Sequence, residues 1–445
     1  MEDIIFKRKI YNRLLEWKKE SAGETAILVQ GARRVGKSTI VEEFARNEYK
    51  SYILIDFSKV SAEVTKLFED LTDLNYIFLS LQAVYKTDLH ERQSVIIFDE
   101  VQHAPKARQA IKHLVKDHRY DYIETGSLIS INKNVKDIVI PSEEETLNMY
   151  PMDYEEFRWA TGDTATVPLL KQFFDLKKPL GNAVHRKAMR DFRLYMLVGG
   201  MPQAVAQYLK TNNLSKVDAV KRRIIKLYEE DFRKIDSSEV MSDMFDSIPN
   251  QLTSNARRYR VPQGINERTE QIARRVPDMA SSMTVNVARH ADDPSVGLAL
   301  NMSLDAFKLY ICDTGLFVTL AFLDKDVTEN IIYDKLLNDK LNTNLGYVYE
   351  NVVAQMLVAK GDRLFYNTFP TENGKHNYEV DFILSRGNKI CPIEVKSSGY
   401  KSHASLDAFC NKFSSRIGNK YILYTKDVSH DEDVVCLPVY MTMFL

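Results

Sequence analysis

The amino-acid sequence predicts an α/β protein in three parts: a parallel sheet with crossover helices, a helical region with a winged-helix-like segment, and a small α/β domain. Strand-like apolar runs alternate with helical patterns over the first third of the chain, which is typical of a parallel sheet. The apolar spacing from about residue 155 to 239 predicts helices, and strand-like runs return after residue 345. A length of 445 residues favours about three domains, which we predict at residues 1–160, 161–330 and 331–445.

Four strand-like runs define the first part, and the first three are almost continuously apolar, as strands covered on both faces usually are. They are Thr25–Gln30, Ser51–Asp56, Ser94–Asp99 and Tyr120–Thr125. The helical patterns Thr39–Asn47 and Lys106–Lys116 lie between them and predict crossover helices on the faces of the sheet.

The remaining elements are predicted from the positions of glycine and proline and from the spacing of apolar residues. Gly199 and Gly200 should end one helix and Pro202 should begin the next, since glycine suits a helix end and proline a first turn. Two later runs, Gly297–Ser303 and Lys308–Asp313, predict a β-wing. The last part is predicted to contain a helix and three strands: Tyr347–Ala359, Glu379–Ser385, Lys389–Lys396 and Lys420–Tyr424.

Composition limits the location of the protein and its general binding properties. Lys plus Arg number 60 and Asp plus Glu number 61, so no net field draws the whole chain to nucleic acid or an anionic membrane. The four cysteines include no Cys-x-x-Cys pair, which argues against a disulfide framework and a zinc site. Apolar runs such as Phe317–Leu323 are too short to cross a bilayer. We therefore expect a cytoplasmic protein with no membrane association.

A phosphate-binding sequence directly follows the first predicted strand. Residues 31–38 fit the pattern G-x-x-x-x-G-K-[ST] and lead into a predicted helix. Such a loop points backbone N–H groups at an anion, the lysine reaches the β and γ phosphates, and the serine hydroxyl binds Mg2+. The residues predicted to bind the nucleotide are Gly31, Ala32, Arg33, Arg34, Val35, Gly36, Lys37, Ser38 and Thr39. The first part is thus predicted to have the sheet of a P-loop NTPase.

Candidate catalytic residues end the third and fourth predicted strands. Asp99 should hold Mg2+ together with Ser38, and Glu100 should orient and deprotonate the attacking water. Thr125 is placed to sense the γ phosphate, so Lys37, Glu100 and Thr125 form the predicted catalytic set. One strand separates the two motifs and no Asn-Lys-x-Asp sequence is present, which favours an ATPase over kinases and GTPases. The predicted cofactors are ATP and Mg2+.

A second group of charged residues falls in the last part. Glu394 and Lys396 share one face of a predicted strand, a neighbouring strand carries Asp381, and the preceding helix carries Glu350. Three interpretations remain open at this stage. The group could bind Mg2+ and cleave phosphodiester bonds, belong to a nuclease-like domain that only binds DNA or protein, or be a solvated ion-pair cluster without a function.

Several motifs across the chain together resemble those of a bacterial and archaeal family of AAA-type ATPases. They are Gly31–Ser38, Phe98–Gln102, Thr125–Ser127, Tyr150–Phe157, Gly199–Pro202, Lys308–Leu316, Glu379–Leu384 and Ile393–Ser397. The resemblance implies ATP binding and hydrolysis, a helical or winged region, and a C-terminal domain with a restriction-endonuclease-like fold. Residues 142–146 are acidic where this family often has a Gly-Arg pair, so we assign that segment no nucleotide-sensing role.

The resulting hypothesis is a Mg2+-dependent ATPase that couples its nucleotide state to the C-terminal domains. One alternative is an ATP-regulated protein that binds or cleaves DNA through its nuclease-like domain. Another is a nucleotide-dependent interaction module without relevant catalysis. The expected partners are ATP and a DNA or protein partner, and the chain could form an oligomer.

Overall fold

A computed structural model describes residues 4–127, 141–253, 258–262, 265, 267–323, 330–338, 346–371, 373–398 and 402–445. The chain forms two compact units. The first comprises Met1–Tyr150 with Ser281–Met283, and the second comprises Pro151–Ala280 with Thr284–Leu445. The chain therefore leaves the first unit about ten residues before the predicted boundary at residue 160.

The first unit contains a five-stranded parallel sheet, which confirms the predicted fold class of this part. Its strands are β1 (Ala26–Gln30), β2 (Ser51–Asp56), β3 (Ser94–Asp99), β4 (Asp121–Gly126) and β5 (Glu144–Asn148). Their order across the sheet is β2-β3-β4-β1-β5, so β4 lies between the strand that precedes the phosphate loop and the strand that ends in Asp99. Strand β5 was not predicted.

Helices cover this sheet, and buried apolar side chains form the core. The helices are α1 (Ile10–Glu20), α2 (Lys37–Glu48), α3 (Ala62–Lys66), α4 (Leu74–Tyr85) and α5 (Pro105–Lys116). Phe98 of β3 packs edge-on against the rings of Phe57 and Phe68, while Phe78 of α4 and Ile111 of α5 belong to the same apolar cluster. Burial of these side chains supplies the main stabilisation of the unit.

The part of the chain after residue 150 begins with helices, as predicted, and further helices lie among its later strands. They are α6 (Tyr154–Ala160), α7 (Thr166–Leu176), α8 (Asn182–Val198), α9 (Pro202–Thr211), α10 (Leu214–Ile235), α11 (Val240–Asp246), α12 (Ile248–Thr253), α13 (Thr269–Ala273), α14 (Val276–Ser281), α15 (Thr314–Ala321), α16 (Asn330–Leu337), α17 (Gly346–Ala359) and α18 (Ala404–Lys412). The break between α8 and α9 falls at Gly199–Met201, where Gly and Pro predicted it. Across the described ranges, no helix is both long enough and apolar enough to span a bilayer.

The glycines of the second unit mark a point where three backbone segments meet. A Cβ atom on Gly200 would lie 2.0 Å from the carbonyl oxygen of Met152, and one on Gly199 would lie 2.3 Å from the Asp313 carboxylate. Asp313 in turn accepts hydrogen bonds from the N–H groups of Gly200 (2.5 Å) and Leu316 (2.9 Å). The Gly199–Pro202 motif and the end of the Lys308–Leu316 motif therefore have a packing role.

A buried lysine ties α8 to the start of α15 beside this crossing. Lys221 of α10 donates from Nζ to the carbonyl oxygens of Leu197 (2.7 Å) and Gly315 (3.1 Å). Burial lowers the pKa of Lys221 to about 8, against the opposing effect of the Asp218 and Asp313 carboxylates. The ammonium thus occupies a position that disfavours its charge.

The second unit also holds an eight-stranded mixed sheet. Its strands are β6 (Val285–Ala291), β7 (Met302–Ile311), β8 (Leu364–Pro370), β9 (Asn377–Arg386), β10 (Lys389–Val395), β11 (Lys420–Tyr424), β12 (Ser429–Asp431) and β13 (Val434–Pro438), in the order β12-β13-β11-β10-β9-β8-β6-β7. The three strands predicted in the last part are confirmed as β9, β10 and β11.

The predicted β-wing is wrong in its strands: Gly297–Ser303 forms mainly a 3-10 helix, Leu298–Asn301, while Lys308–Asp313 overlaps the end of β7, whose hairpin partner β6 was not predicted. We expected a wing of a helical region at residues 161–330, but β6 pairs in parallel with β8 and so extends the C-terminal sheet. The predicted boundary at residue 330 consequently falls between strands of one sheet. The cause is backbone pairing between segments about 75 residues apart, which local periodicity does not reveal.

All four cysteines lie in this second unit. Cys312, Cys391, Cys410 and Cys436 are buried, and none of them forms a disulfide. They behave as small apolar side chains of the core.

Candidate functional site

The phosphate loop joins the carboxyl end of β1 to the first residue of α2. Gly36 has a φ of 97°, a left-handed conformation that favours glycine, and Arg34 has a φ of 71°. Gly31 is required for a different reason, because a Cβ atom there would lie 2.2 Å from the backbone oxygen of Met149, just after β5. The missed strand β5 therefore leads directly into a segment that packs against the loop.

Lys37 is folded back onto the loop. Its Nζ atom donates to the carbonyl oxygens of Gly31 (3.0 Å) and Ala32 (3.1 Å), and the side chain is buried. Burial lowers the pKa of Lys37, while the carboxylates of Glu100 and Asp99 oppose that shift. An incoming polyphosphate would offer this ammonium stronger, charged acceptors than the two carbonyls.

Asp99 accepts hydrogen bonds from side chains of two neighbouring elements, α2 and β4. Its Oδ1 atom accepts a hydrogen bond from the Ser38 hydroxyl at 2.7 Å and another from the Thr125 hydroxyl. Thr125 also accepts from the backbone N–H of Glu100 at 3.3 Å. Burial raises the pKa of Asp99, against the opposing effect of the two hydroxyl hydrogen bonds. The position of β4 between β1 and β3 explains why Thr125 reaches Asp99.

Glu100 lies one residue beyond β3, with a φ of 54°. Its carboxylate accepts a hydrogen bond from the side-chain amide of Gln102 in the following 3-10 helix, Val101–His103. The structure thus brings Lys37, Ser38, Asp99, Glu100 and Thr125 to one edge of the sheet. Arg34 and Thr39 are exposed, and Arg33 is partly buried.

The sequence analysis missed Arg8, a buried residue that also holds the loop. Its guanidinium donates to the carbonyl oxygen of Val35 at 2.9 Å and to that of Tyr150 at 2.7 Å. It links the phosphate loop to Tyr150, the residue before the chain enters the second unit. Nothing in the local sequence separates Arg8 from a solvated arginine near the chain start.

The donor set at this edge fits a magnesium ion. Mg2+ prefers oxygen ligands and is usually held by one or two protein groups together with substrate phosphates and water. The Ser38 hydroxyl and the Asp99 carboxylate supply such oxygens in direct contact with each other.

The second predicted cluster lies within the second unit. Lys396 is 2.5 Å from the Glu394 carboxylate, and Asp381 accepts a hydrogen bond from the backbone N–H of Val395 at 2.7 Å. Glu350 of α17 accepts from the Tyr310 hydroxyl at 3.5 Å. Burial raises the pKa of Asp381, and the Glu350 carboxylate adds to that effect. The antiparallel pairing of β9 with β10 brings Asp381 close to Glu394 and Lys396.

Two further charged residues belong to this C-terminal cluster and were not predicted as members. Lys308 of β7 forms an ion pair with Glu379 of β9, and its Nζ atom lies 4.0 Å from the Glu350 carboxylate. Among the residues that the structure describes, no group of three or more His, Cys, Asp or Glu side chains is arranged to hold a metal ion.

Comparison with known families finds a matching model for most of the first unit. Residues 23–158 match the model of a family described as an AAA domain. This match covers less than a third of the chain and contains the phosphate loop, Asp99, Glu100 and Thr125. Residues 189–327 and 345–441 match two models described as domains of unknown function, DUF8612 and DUF4143. The restriction-endonuclease-like fold of the last part therefore remains a prediction.

Solved structures resemble the chain more distantly, and no curated protein matches it. A Walker-type ATPase of Pyrococcus abyssi, PABY2304, is 15% identical over 71% of this chain and 96% of its own, with a TM-score of 0.41. The Holliday junction branch migration motor RuvB of Thermotoga maritima is 11% identical over 61% of this chain and 82% of its own, with a TM-score of 0.29. Because both TM-scores are below 0.5, the assignment rests on the AAA domain match and on the site geometry.

Proposed function

We propose that the protein binds ATP together with Mg2+ at the phosphate loop of its AAA domain and hydrolyses it. The observation that carries this proposal is the meeting of Ser38, Thr125 and Asp99 through direct hydrogen bonds at the carboxyl edge of the parallel sheet. The loop with its buried lysine lies beside this edge. Ligands of open α/β sheets bind at such edges.

Each residue then has a defined task. Loop N–H groups and Lys37 bind the β and γ phosphates, and Glu100 deprotonates the attacking water. Thr125 holds the Asp99 carboxylate and the backbone of Glu100 in position beside the γ phosphate. Ser38 and Asp99 would hold Mg2+, which when bound neutralises part of the phosphate charge.

We also propose that the nucleotide state is transmitted to the second unit. Support comes from two contacts within the first unit: Met149 packs on Gly31, and Arg8 joins Val35 to Tyr150. The second unit starts at Pro151, the next residue along the chain. A shift of the loop on nucleotide binding would therefore act on the segment from which the second unit begins.

The test separates binding from hydrolysis. Lys37→Ala should abolish ATP binding measured by titration calorimetry, and Glu100→Gln should retain binding but lose phosphate release by about 100-fold or more. Lys66→Ala and Glu63→Gln change exposed residues of the same unit and serve as matched controls. Unchanged turnover in both site variants would refute the site assignment.

Loss of binding in Lys37→Ala without any turnover in the wild type would support the non-enzymatic interaction module instead. Oligomer formation is tested by light scattering with and without ATP. DNA cleavage is tested by incubating the full chain with plasmid and Mg2+. No observation favours the DNA-cleaving alternative over the ATPase.

A further inference from the structure

The C-terminal cluster contains a lysine that was not among its predicted members. Lys308 is buried on β7, the edge strand of the mixed sheet, and its ammonium reaches Glu379 of β9. Ala288 stands opposite Lys308 on β6. Residues directly opposite each other on antiparallel strands share a face, so a small methyl group lies next to the lysine and leaves its side chain room to extend.

The cluster is already supplied with positive charge. Two ammonium groups occupy it: the Nζ atom of Lys308 pairs with the Glu379 carboxylate and lies 4.0 Å from that of Glu350, and Lys396 pairs with Glu394. Lys308 is buried, and a lysine paired with carboxylates in this way keeps its positive charge.

A divalent ion would have to share this space. Carboxylate ligands hold such an ion at about 2.0–2.6 Å, so an ion bound by Glu350 and its neighbours would stand close to the ammonium of Lys308. Like charges at that separation repel strongly in a buried site. The residues present do not fit a Mg2+ centre, and no described group of His, Cys, Asp or Glu is arranged as one.

The geometry points to Lys308 as a resident cation that takes the place of a divalent ion in the C-terminal cluster. Within the part of the chain that the structure describes, the C-terminal cluster then lacks the metal centre of a Mg2+-dependent phosphodiesterase. This inference concerns a site in the second unit and is independent of the ATPase site in the first.

Titration calorimetry with Mn2+, on the full chain without nucleotide, tests it. Wild type and Asp381→Asn should bind Mn2+ equally, because the cluster contributes no site. Lys308→Met removes the ammonium and keeps the apolar stem, so it should gain one Mn2+ site that the added Asp381→Asn substitution removes. Lys396→Met is the matched control and should gain none, since Lys308 is still present.

Three outcomes would overturn the inference. Wild type could bind Mn2+ at a site that Asp381→Asn abolishes, or it could nick plasmid DNA with Mg2+ in a manner that Asp381→Ala abolishes. A folded Lys308→Met protein that gains no Mn2+ site would also contradict it. If Lys308→Met does not fold, the comparison of wild type with Asp381→Asn decides alone. The Lys37→Ala result does not bear on any of these measurements.

Discussion

Replacing the buried Lys221 should change how the stability of the second unit depends on pH. The pKa of Lys221 falls from 10.5 to about 8 in the folded protein. Between these values the unfolded chain binds more protons than the folded one, so stability rises with pH. From pH 7 to pH 9.5 this single group should add about 2 kcal/mol to the free energy of unfolding. Lys221→Met lacks the titrating group and should lose this increment.

The second unit contains one tryptophan, Trp159, and the first contains the other, Trp17. In a Trp17→Phe background, fluorescence during urea unfolding therefore reports the second unit. The quantity to follow is the difference in unfolding free energy between the chain that keeps Lys221 and the Lys221→Met variant at several pH values. Buried thiols and tyrosines that also titrate are common to both chains and cancel in that difference.

Lys226 lies exposed on the same helix, so Lys226→Met is the matched control and should show no such pH-dependent difference. The Lys221→Met substitution also leaves the carbonyls of Leu197 and Gly315 without their donor, which costs about 1–3 kcal/mol at every pH. That cost lowers the free energy of unfolding by the same amount at every pH and does not change its slope against pH. A difference that stays constant from pH 7 to pH 9.5 would refute the reasoning.

Two further predictions concern the phosphate loop. Arg8→Lys keeps the charge but loses the planar guanidinium that donates to two carbonyls, so we expect a KM for ATP about tenfold higher. Arg13→Lys, on an exposed part of α1, is the control and should leave the KM unchanged. An unchanged KM in Arg8→Lys would contradict the positioning role of Arg8. Gly31→Ala should destabilise the first unit by about 1–3 kcal/mol, because the new Cβ atom would clash with the Met149 carbonyl oxygen. The same clash should weaken ATP binding. A Gly31→Ala protein that unfolds at the wild-type temperature would contradict this prediction.

Three of the predicted strands of the first unit were recognisable as almost continuous apolar runs, and two of them, β1 and β3, are buried along their whole length. Strand β5 was not recognisable, since Glu144–Asn148 is mostly polar. It is held by backbone pairing with β1 and by a buried bidentate ion pair between Arg108 and Glu144. Both interactions join distant segments, so no local pattern in the sequence signals them.

In the candidate sites, too, some residues follow from local sequence motifs and others only from contacts between distant segments. The loop and the Asp99-Glu100 pair follow local motifs, and their approach to one edge follows from parallel strands. Arg8 acts on residues 27 and 142 positions away, and Lys308 on one 71 positions away. A charged residue whose partners are supplied by the tertiary fold has the same local sequence as a solvated one.

The distribution of thiols makes the first unit easy to label. Its first 150 residues contain no cysteine, and the four thiols of the chain are enclosed in the second unit. A cysteine placed at an exposed position such as Lys66 would be the sole accessible target for a maleimide dye. Fluorescence from the first unit could then be recorded with and without ATP, and no native side chain would be removed from the core.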